Sequence, residues 1–317
     1  MIRYTIKRLL QTLLTVFIVV TIVFLLMRLL PTDYFFTEEQ LIKLTDAQKD
    51  DQLRAAGLLD SPVEQMVRFY LDIILHGDFG TSRRIQNGVP VLEVIGGKFT
   101  ISMRLGCIAL GISLLVGVIL GVSQARFKDG VVDGIGTAYT IFVNAVPSLV
   151  TYSLVLVFGS RVVGLPSMYS TRNVTQSSIL PIVCLALGNI AYYALWTRRY
   201  MVDEFTKDYI KLAKVKGMST RTIMVTHVLR NALVPLVQYM PQTFLLTIGG
   251  SLLVERFFSV PGMGPLLTDA ITRYDTNVVQ ILVMLYAALG CLGVLLGDIL
   301  MAVIDPRIRL TGKGAVR

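Results

Sequence analysis

Long apolar runs, separated by shorter polar stretches, recur along the whole chain. Six of them are long enough to cross a bilayer as a helix, which takes about 20 residues: residues 9–30, 101–123, 136–160, 179–195, 233–254 and 278–303. The pattern predicts an all-α polytopic membrane protein with six transmembrane helices. Residues 1–31 carry the first, 32–100 form an external segment, 101–305 hold the other five, and 306–317 form a tail. The first run follows Arg3, Lys7 and Arg8, as the core of a signal peptide would. It ends in Met27-Arg28-Leu29-Leu30-Pro31 without a small-residue cleavage site and is longer than such a core, so it is read as a retained helix.

The polar stretches have patterns of their own. Ser61-Pro62-Val63-Glu64 is a capping box with proline at the first helical position. An amphipathic helix is expected from there to about residue 75, with Val63, Met66, Val67, Tyr70 and Ile74 along one face, lying on the membrane or against the rest of the chain. Gly77-Asp78-Phe79-Gly80-Thr81-Ser82 reads as a turn. The most basic stretch, residues 198–235, is too charged for a membrane. It predicts a helix from about Asp203 to Lys216, a stop at Gly217, and a restart behind Ser219 or Thr220 as cap. Ala213, one turn before Gly217, leaves little bulk there. Two readings stand: a connector whose lysines set topology, or a compact elbow that docks in a groove of another protein.

Composition agrees with a membrane protein. The chain of 317 residues is 54% hydrophobic and 16% charged, against about 25% charged in a soluble domain, and its mean hydropathy is +0.65. A net charge of +9 raises nucleic acid as a partner, but the basic residues fall between apolar spans rather than in a stripe with aromatics. Basic residues gather before the first span, at Arg126 and Lys128, in the 198–235 stretch, and after the sixth span. This asymmetry makes both termini and the 198–235 loop cytoplasmic. Cys107, Cys184 and Cys291 sit in three separate apolar runs and suggest neither a disulfide framework nor a metal site.

Catalytic chemistry finds little support. His76 and His227 lie in opposite aqueous regions, and there is no HExxH, GxSxG or intramembrane acid pair. Gly97-Lys98-Phe99-Thr100 fails as a phosphate loop, with Leu92 in place of the first glycine and Phe99 after the lysine. An ion-coupled carrier would keep a charged group near the bilayer midplane, whereas Arg28, Arg104 and Asp298 fall toward span ends. The polar residues inside spans are uncharged: Asn144, Ser148 and Tyr152 recur every four residues beside Pro147, and Gln238 and Gln242 do the same beside Pro241. Each set either lines a water-filled path or bonds a neighbouring helix. Gly117 with Gly121 and Gly293 with Gly297 are spaced for close helix packing within one subunit. Pro261, Gly262 and Gly264 form an outer turn that brings the chain back toward the membrane.

Asp208-Tyr209-Ile210, Ala213-Lys214, Lys216-Gly217-Met218-Ser219 and His227-Val228-Leu229-Arg230-Asn231-Ala232, with Pro235, resemble the conserved cytoplasmic loop of permease subunits of bacterial ATP-binding-cassette importers. The branch they are most similar to imports dipeptides, oligopeptides and nickel. The Gly77 to Ser82 turn, Pro261-Gly262-Met263-Gly264 and Asp305-Pro306-Arg307 extend the likeness to most of the chain. Where the wider family has Glu-Ala-Ala before the glycine, this chain has Lys211-Leu212-Ala213, so a Glu-mediated contact is not carried over.

The resemblance implies a type I importer permease fold in the bacterial inner membrane and a non-catalytic translocation subunit for peptides, with nickel or another small chelate as alternative cargo. It implies that Asp208, Tyr209, Lys211, Ala213, Lys216, Gly217 and Met218 dock on an ATPase. It also implies a second homologous permease, two ATPase subunits that bind ATP and Mg, and an external substrate-binding protein. This chain itself then needs no cofactor. The outer turn would stand near the translocation path.

Overall fold

The computed structural model of the chain describes residues 2–30, 35–36 and 38–304; the expected tail lies outside them. The regular elements among the described residues are helices, with one isolated antiparallel bridge between Thr81 and Pro90. They follow in order as α1 (Ile2–Met27), α2 (Glu38–Lys43), α3 (Asp46–Ala55), α4 (Pro62–Leu71), α5 (Val91–Arg126), α6 (Val131–Ala145), α7 (Ser148–Arg161), α8 (Val174–Ser177), α9 (Ile179–Phe205), α10 (Asp208–Val215), α11 (Thr220–Thr222), α12 (Arg230–Ile248), α13 (Leu252–Phe257), α14 (Met263–Thr272) and α15 (Thr276–Ile304). π-Helical segments, Asp72–His76 and Ile223–Leu229, continue α4 and join α11 to α12.

Among the described residues, four helical stretches are long and apolar enough to cross a membrane: Ile6–Met27, Val91–Arg126, Val174–Phe205 and Thr276–Met301. The third expected span differs from expectation. Its helix breaks between α6 and α7, whose axes are bent by 114°. Pro147 has no N–H to continue the ladder and forces the residue before it out of the helical region, and Val146 accordingly sits at φ −82°, ψ 130°. The fifth expected span coincides with α12, which carries Pro235 and Pro241 within its helix and is not among those four stretches.

The chain divides into two compact units. The first comprises Met1–Leu9, Phe99–Pro265 and Leu289–Arg317. Within it α9 is central and packs against α6, α7 and α12. Leu105 and Ala109 of α5, Leu180 and Cys184 of α9, and Val254 and Phe258 form one buried cluster. The glycine pairs make the seams. A Cβ on Gly117 would stand 2.7 Å from Tyr193 Cβ, and one on Gly121 would stand 2.6 Å from the Ala194 carbonyl, so α5 lies directly on α9. Gly293 does the same for α15 on α12, where a Cβ would come within 2.5 Å of Gln242 Cα. Arg198 of α9 grips the Asp133 carboxylate of α6 through two bonds, 2.5 and 2.6 Å long.

The second unit comprises Leu10–Lys98 and Leu266–Ala288. The capping box at Ser61 and Glu64 is formed, with the serine hydroxyl accepting from the Glu64 N–H and Glu64 accepting from the Ser61 N–H. α4 lies against α1 through Phe69 on Phe24 and Tyr70 on Phe17. Val63, Val67 and Ile74, from the expected apolar face, are exposed, while Tyr70 shares a hydrogen bond with Thr21. Phe69, outside that predicted face, therefore supplies one of the two aromatic contacts. The Gly77 to Ser82 turn is held by the Asp275 carboxylate, which accepts from the Ser82 hydroxyl at 2.6 Å and from the N–H groups of Arg83, Arg84 and Ile85 at 3.1, 2.9 and 3.0 Å. Burial alone would push this carboxyl up, but these donors outweigh it and leave it below its ordinary value.

Candidate functional site

Between α9 and α12 the chain forms an elbow. The expected single helix from Asp203 is interrupted: α9 continues to Phe205, Lys207 turns extended at φ −67°, ψ 146°, and α10 begins at Asp208. Gly217 then takes φ +78°. The N–H of Met218 reaches the Ala213 carbonyl and that of Gly217 the Lys214 carbonyl, which is a complete Schellman ending. Ser219, rather than Thr220, caps the restart by accepting from the Thr222 N–H at 3.2 Å.

The elbow has two faces. Ile210 and Ala213 are buried with Met201, Ile223, Met224 and Val228, and Met218 packs against the same cluster. Ala213 therefore faces inward, where its small side chain lets α10 lie close to the π-helical segment. Tyr209, Leu212 and Val215 are exposed, as are Lys211, Lys214 and Lys216. Asp208 pairs with Lys211 at 2.8 Å. The Tyr209 hydroxyl donates to Glu204 and accepts from Asn231 Nδ2 at 2.8 Å, tying α10 to the end of α9 and the start of α12.

The same unit holds an open cavity of about 760 Å³. Asn144, Ser148, Tyr152 and Gln242 all line it, although the break at Pro147 puts Asn144 on one helix and Ser148 and Tyr152 on another. Thr151, Asn189, Thr243 and Thr247 add further uncharged polar groups, and no lining residue is Asp, Glu, Lys, Arg or His. Gln238 lies elsewhere. Its Nε2 donates to Asp298 Oδ1 at 3.3 Å, and Arg8 pairs with the same carboxylate at 3.3 Å.

The outer turn closes over a buried carboxyl. Glu255 accepts from the Gly264 N–H at 2.8 Å and the Ser251 N–H at 3.3 Å, while Ser102 accepts from the Met263 N–H at 2.9 Å. Gly262 must lack a side chain, because a Cβ there would stand 2.5 Å from both Glu255 Oε2 and Ser102 Oγ. At Gly264 it would meet Leu252 Cα at 2.6 Å. Pro261, by contrast, is exposed. Burial pushes the Glu255 carboxyl above its ordinary value despite the hydrogen bonds from Ser102, Gly264 and Ser251.

Residues 114–310 match the family model of the binding-protein-dependent transport system inner membrane component. The chain belongs to this family. It is 33% identical over 310 residues to the dipeptide transport system permease protein of Lactococcus lactis subsp. cremoris, covering 98% of this chain and 100% of the relative. It is 31% identical to the Bacillus subtilis protein of the same name, covering 99% of this chain and 100% of the relative. It is 32% identical to the oligopeptide transport system permease protein of Salmonella typhimurium, with coverage of 98% and 100%.

The chain is thus a permease component of a bacterial ATP-binding-cassette importer, with several apolar helices that make it a multi-pass inner membrane protein. Some contacts of the permease escaped sequence reasoning. Glu204, Tyr209 and Asn231 meet across a fold-back of 22 to 27 residues, which no periodicity reports. Thr151 joins the cavity as well: three residues after Ser148 and seven after Asn144, it belongs to the same helical face, which a count of every fourth residue passes over.

Proposed function

We propose that this permease is the translocation subunit of an ATP-driven importer of peptides, opening alternately to the two sides of the membrane. The observation that carries the reading is the cavity, whose walls offer amides and hydroxyls without a formal charge. Peptides differ in side chains but share a backbone of amide donors and acceptors, so such walls suit them as a class. The peptide permeases among the relatives support the same cargo.

In this reading both termini and the elbow face the cytoplasm, as the Lys and Arg asymmetry requires. Partner ATPases bind ATP and Mg, and the exposed side of α10, with Leu212, Val215 and the lysines around them, seats in a groove of one ATPase. Closure of the ATPases on ATP biases the two states of the pathway, because ATP binds one state better than the other. The buried side of α10 passes that motion to α9 and α12 through Ile210 and the Glu204–Tyr209–Asn231 bonds. A second permease completes the pathway, and an external binding protein delivers the cargo.

The test is reconstitution in liposomes. The chain with its co-purifying subunits is expected to take up peptide only with ATP and a loaded binding protein. Vigorous uptake by the isolated chain, driven by a proton or sodium gradient, would overturn the reading.

A further inference from the structure

The cavity has one end better suited to anions than the rest. The break at Pro147 leaves α7, a helix of 14 residues, with its N-terminus on the cavity wall and no side chain capping it. The first backbone bonds run from the Val150 and Thr151 N–H groups to the Pro147 carbonyl, at 2.9 and 3.2 Å, so the N–H groups of Ser148 and Leu149 precede them. Such a helix start carries partial positive charge and aligned donors, and broken helices in transporters present it to anionic substrate groups.

A second observation points the same way. Thr151 is 7% exposed and forms part of the cavity wall, yet its Oγ1 is buried without a hydrogen-bond partner. Its neighbours do otherwise: Thr140, Ser153, Thr243 and Thr247 each donate to the carbonyl four residues back, at 3.0, 2.8, 3.1 and 2.6 Å. A buried hydroxyl left without a partner is destabilising unless something meets it. Ser148, one turn earlier on the same side, brings a second hydroxyl to the wall. With no lysine or arginine on the lining, this helix start brings positive partial charge to a wall without cationic side chains.

We infer that the N-terminus of α7, with Thr151 and Ser148, is a station for the free α-carboxylate of the peptide during its passage through the membrane. The inference rests on the peptide-import reading above. The carboxylate accepts from the Ser148 and Leu149 N–H groups and from the Thr151 hydroxyl, while Asn144 and Gln242 face the peptide backbone. The station holds the common end of all linear peptides and leaves side chains unread.

The test compares ATP-dependent uptake of trialanine and trialanine C-terminal amide by the assembled transporter in proteoliposomes, each peptide saturating the binding protein. Thr151→Val is expected to slow the free acid about fivefold or more and the amide less than twofold, with Thr151→Ser restoring the wild-type ratio. The ratio between peptides cancels capture by the binding protein, which the substitution leaves untouched. Equal slowing of both peptides, or no change in either, would overturn the station and leave peptide import standing. If wild type imports neither peptide, the peptide reading falls and the station with it. Should Thr151→Val fail to assemble, Thr151→Ala is judged by the same two-peptide ratio.

Discussion

Asn231 Nδ2 lies 2.8 Å from the Tyr209 hydroxyl, so the first turn of α12 is bonded directly to the elbow helix α10. The same hydroxyl donates to Glu204 at the end of α9. One side chain thereby references the elbow to both helices that enter the membrane from it. The bonds are solvent-accessible, so their effect on global stability is small, on the order of 1 kcal/mol. In the proposed coupling role, slack at this point would separate the elbow from both helices.

Tyr209→Phe is therefore expected to leave the amount of assembled complex near wild type while lowering peptide-stimulated ATP hydrolysis severalfold. Asn231→Ala should do the same, and the double variant should be little worse than either, since both break one linkage. Fully additive losses in ATP hydrolysis would show that the two residues act separately.

Gly217 stands at φ +78° with open space where a Cβ would point. The constraint is thus backbone conformation rather than crowding. A left-handed residue with a side chain is destabilising by about 1–2 kcal/mol, least for asparagine and most for β-branched residues. Peptide-stimulated ATP hydrolysis should fall in the order Gly, Asn, Ala, Val at this position. A clash mechanism would instead rank the variants by volume alone, which a Gly217→Asn variant weaker than Gly217→Ala would reveal.

The Asp275 carboxyl is held below its ordinary value of 3.8, burial being outweighed by the Ser82 hydroxyl and three backbone N–H groups. A depressed carboxyl binds its proton less tightly folded than unfolded, so its contribution is fully present above pH 3.8. It is lost as pH falls through the lower folded value. The protection factors of the Arg83, Arg84 and Ile85 amides, which correct for intrinsic exchange, should therefore hold down to about pH 4 and fall below it. Asp275→Asn should exchange faster at neutral pH and lose that acid dependence.

Gly297 sits against the Gln238 carbonyl and Gly293 against Gln242 Cα, so any side chain pushes α15 off α12. Overpacking of this kind costs about 1–3 kcal/mol. Gly293→Ala and Gly297→Ala are each expected to lower the thermal midpoint of the detergent-solubilised protein by several degrees. Gly188→Ala, where the space is open, should not. Equal stability of all three would mean that the seam readily opens.

Local chemistry was largely legible from the amino-acid order, because caps, turns and apolar runs depend on neighbours. Ser61 and Glu64 form their capping box, Gly217 ends its helix left-handed, and Ser219 starts the next. Apolar length marked four of the six expected spans as helices long enough to cross a membrane, and the string from Asp208 to Pro235 carried the family. Tertiary structure decided where those elements face. Ala213 turned inward because Ile210 and the π-helical segment needed a close neighbour, and Gln238 went to Asp298 while Gln242 went to the cavity. The bend at Pro147 put Asn144 and Thr151 on two different helices that line one cavity. Burial and partnership arise from contacts between distant residues, such as Ser82 with Asp275, and no local pattern encodes which distant group will arrive.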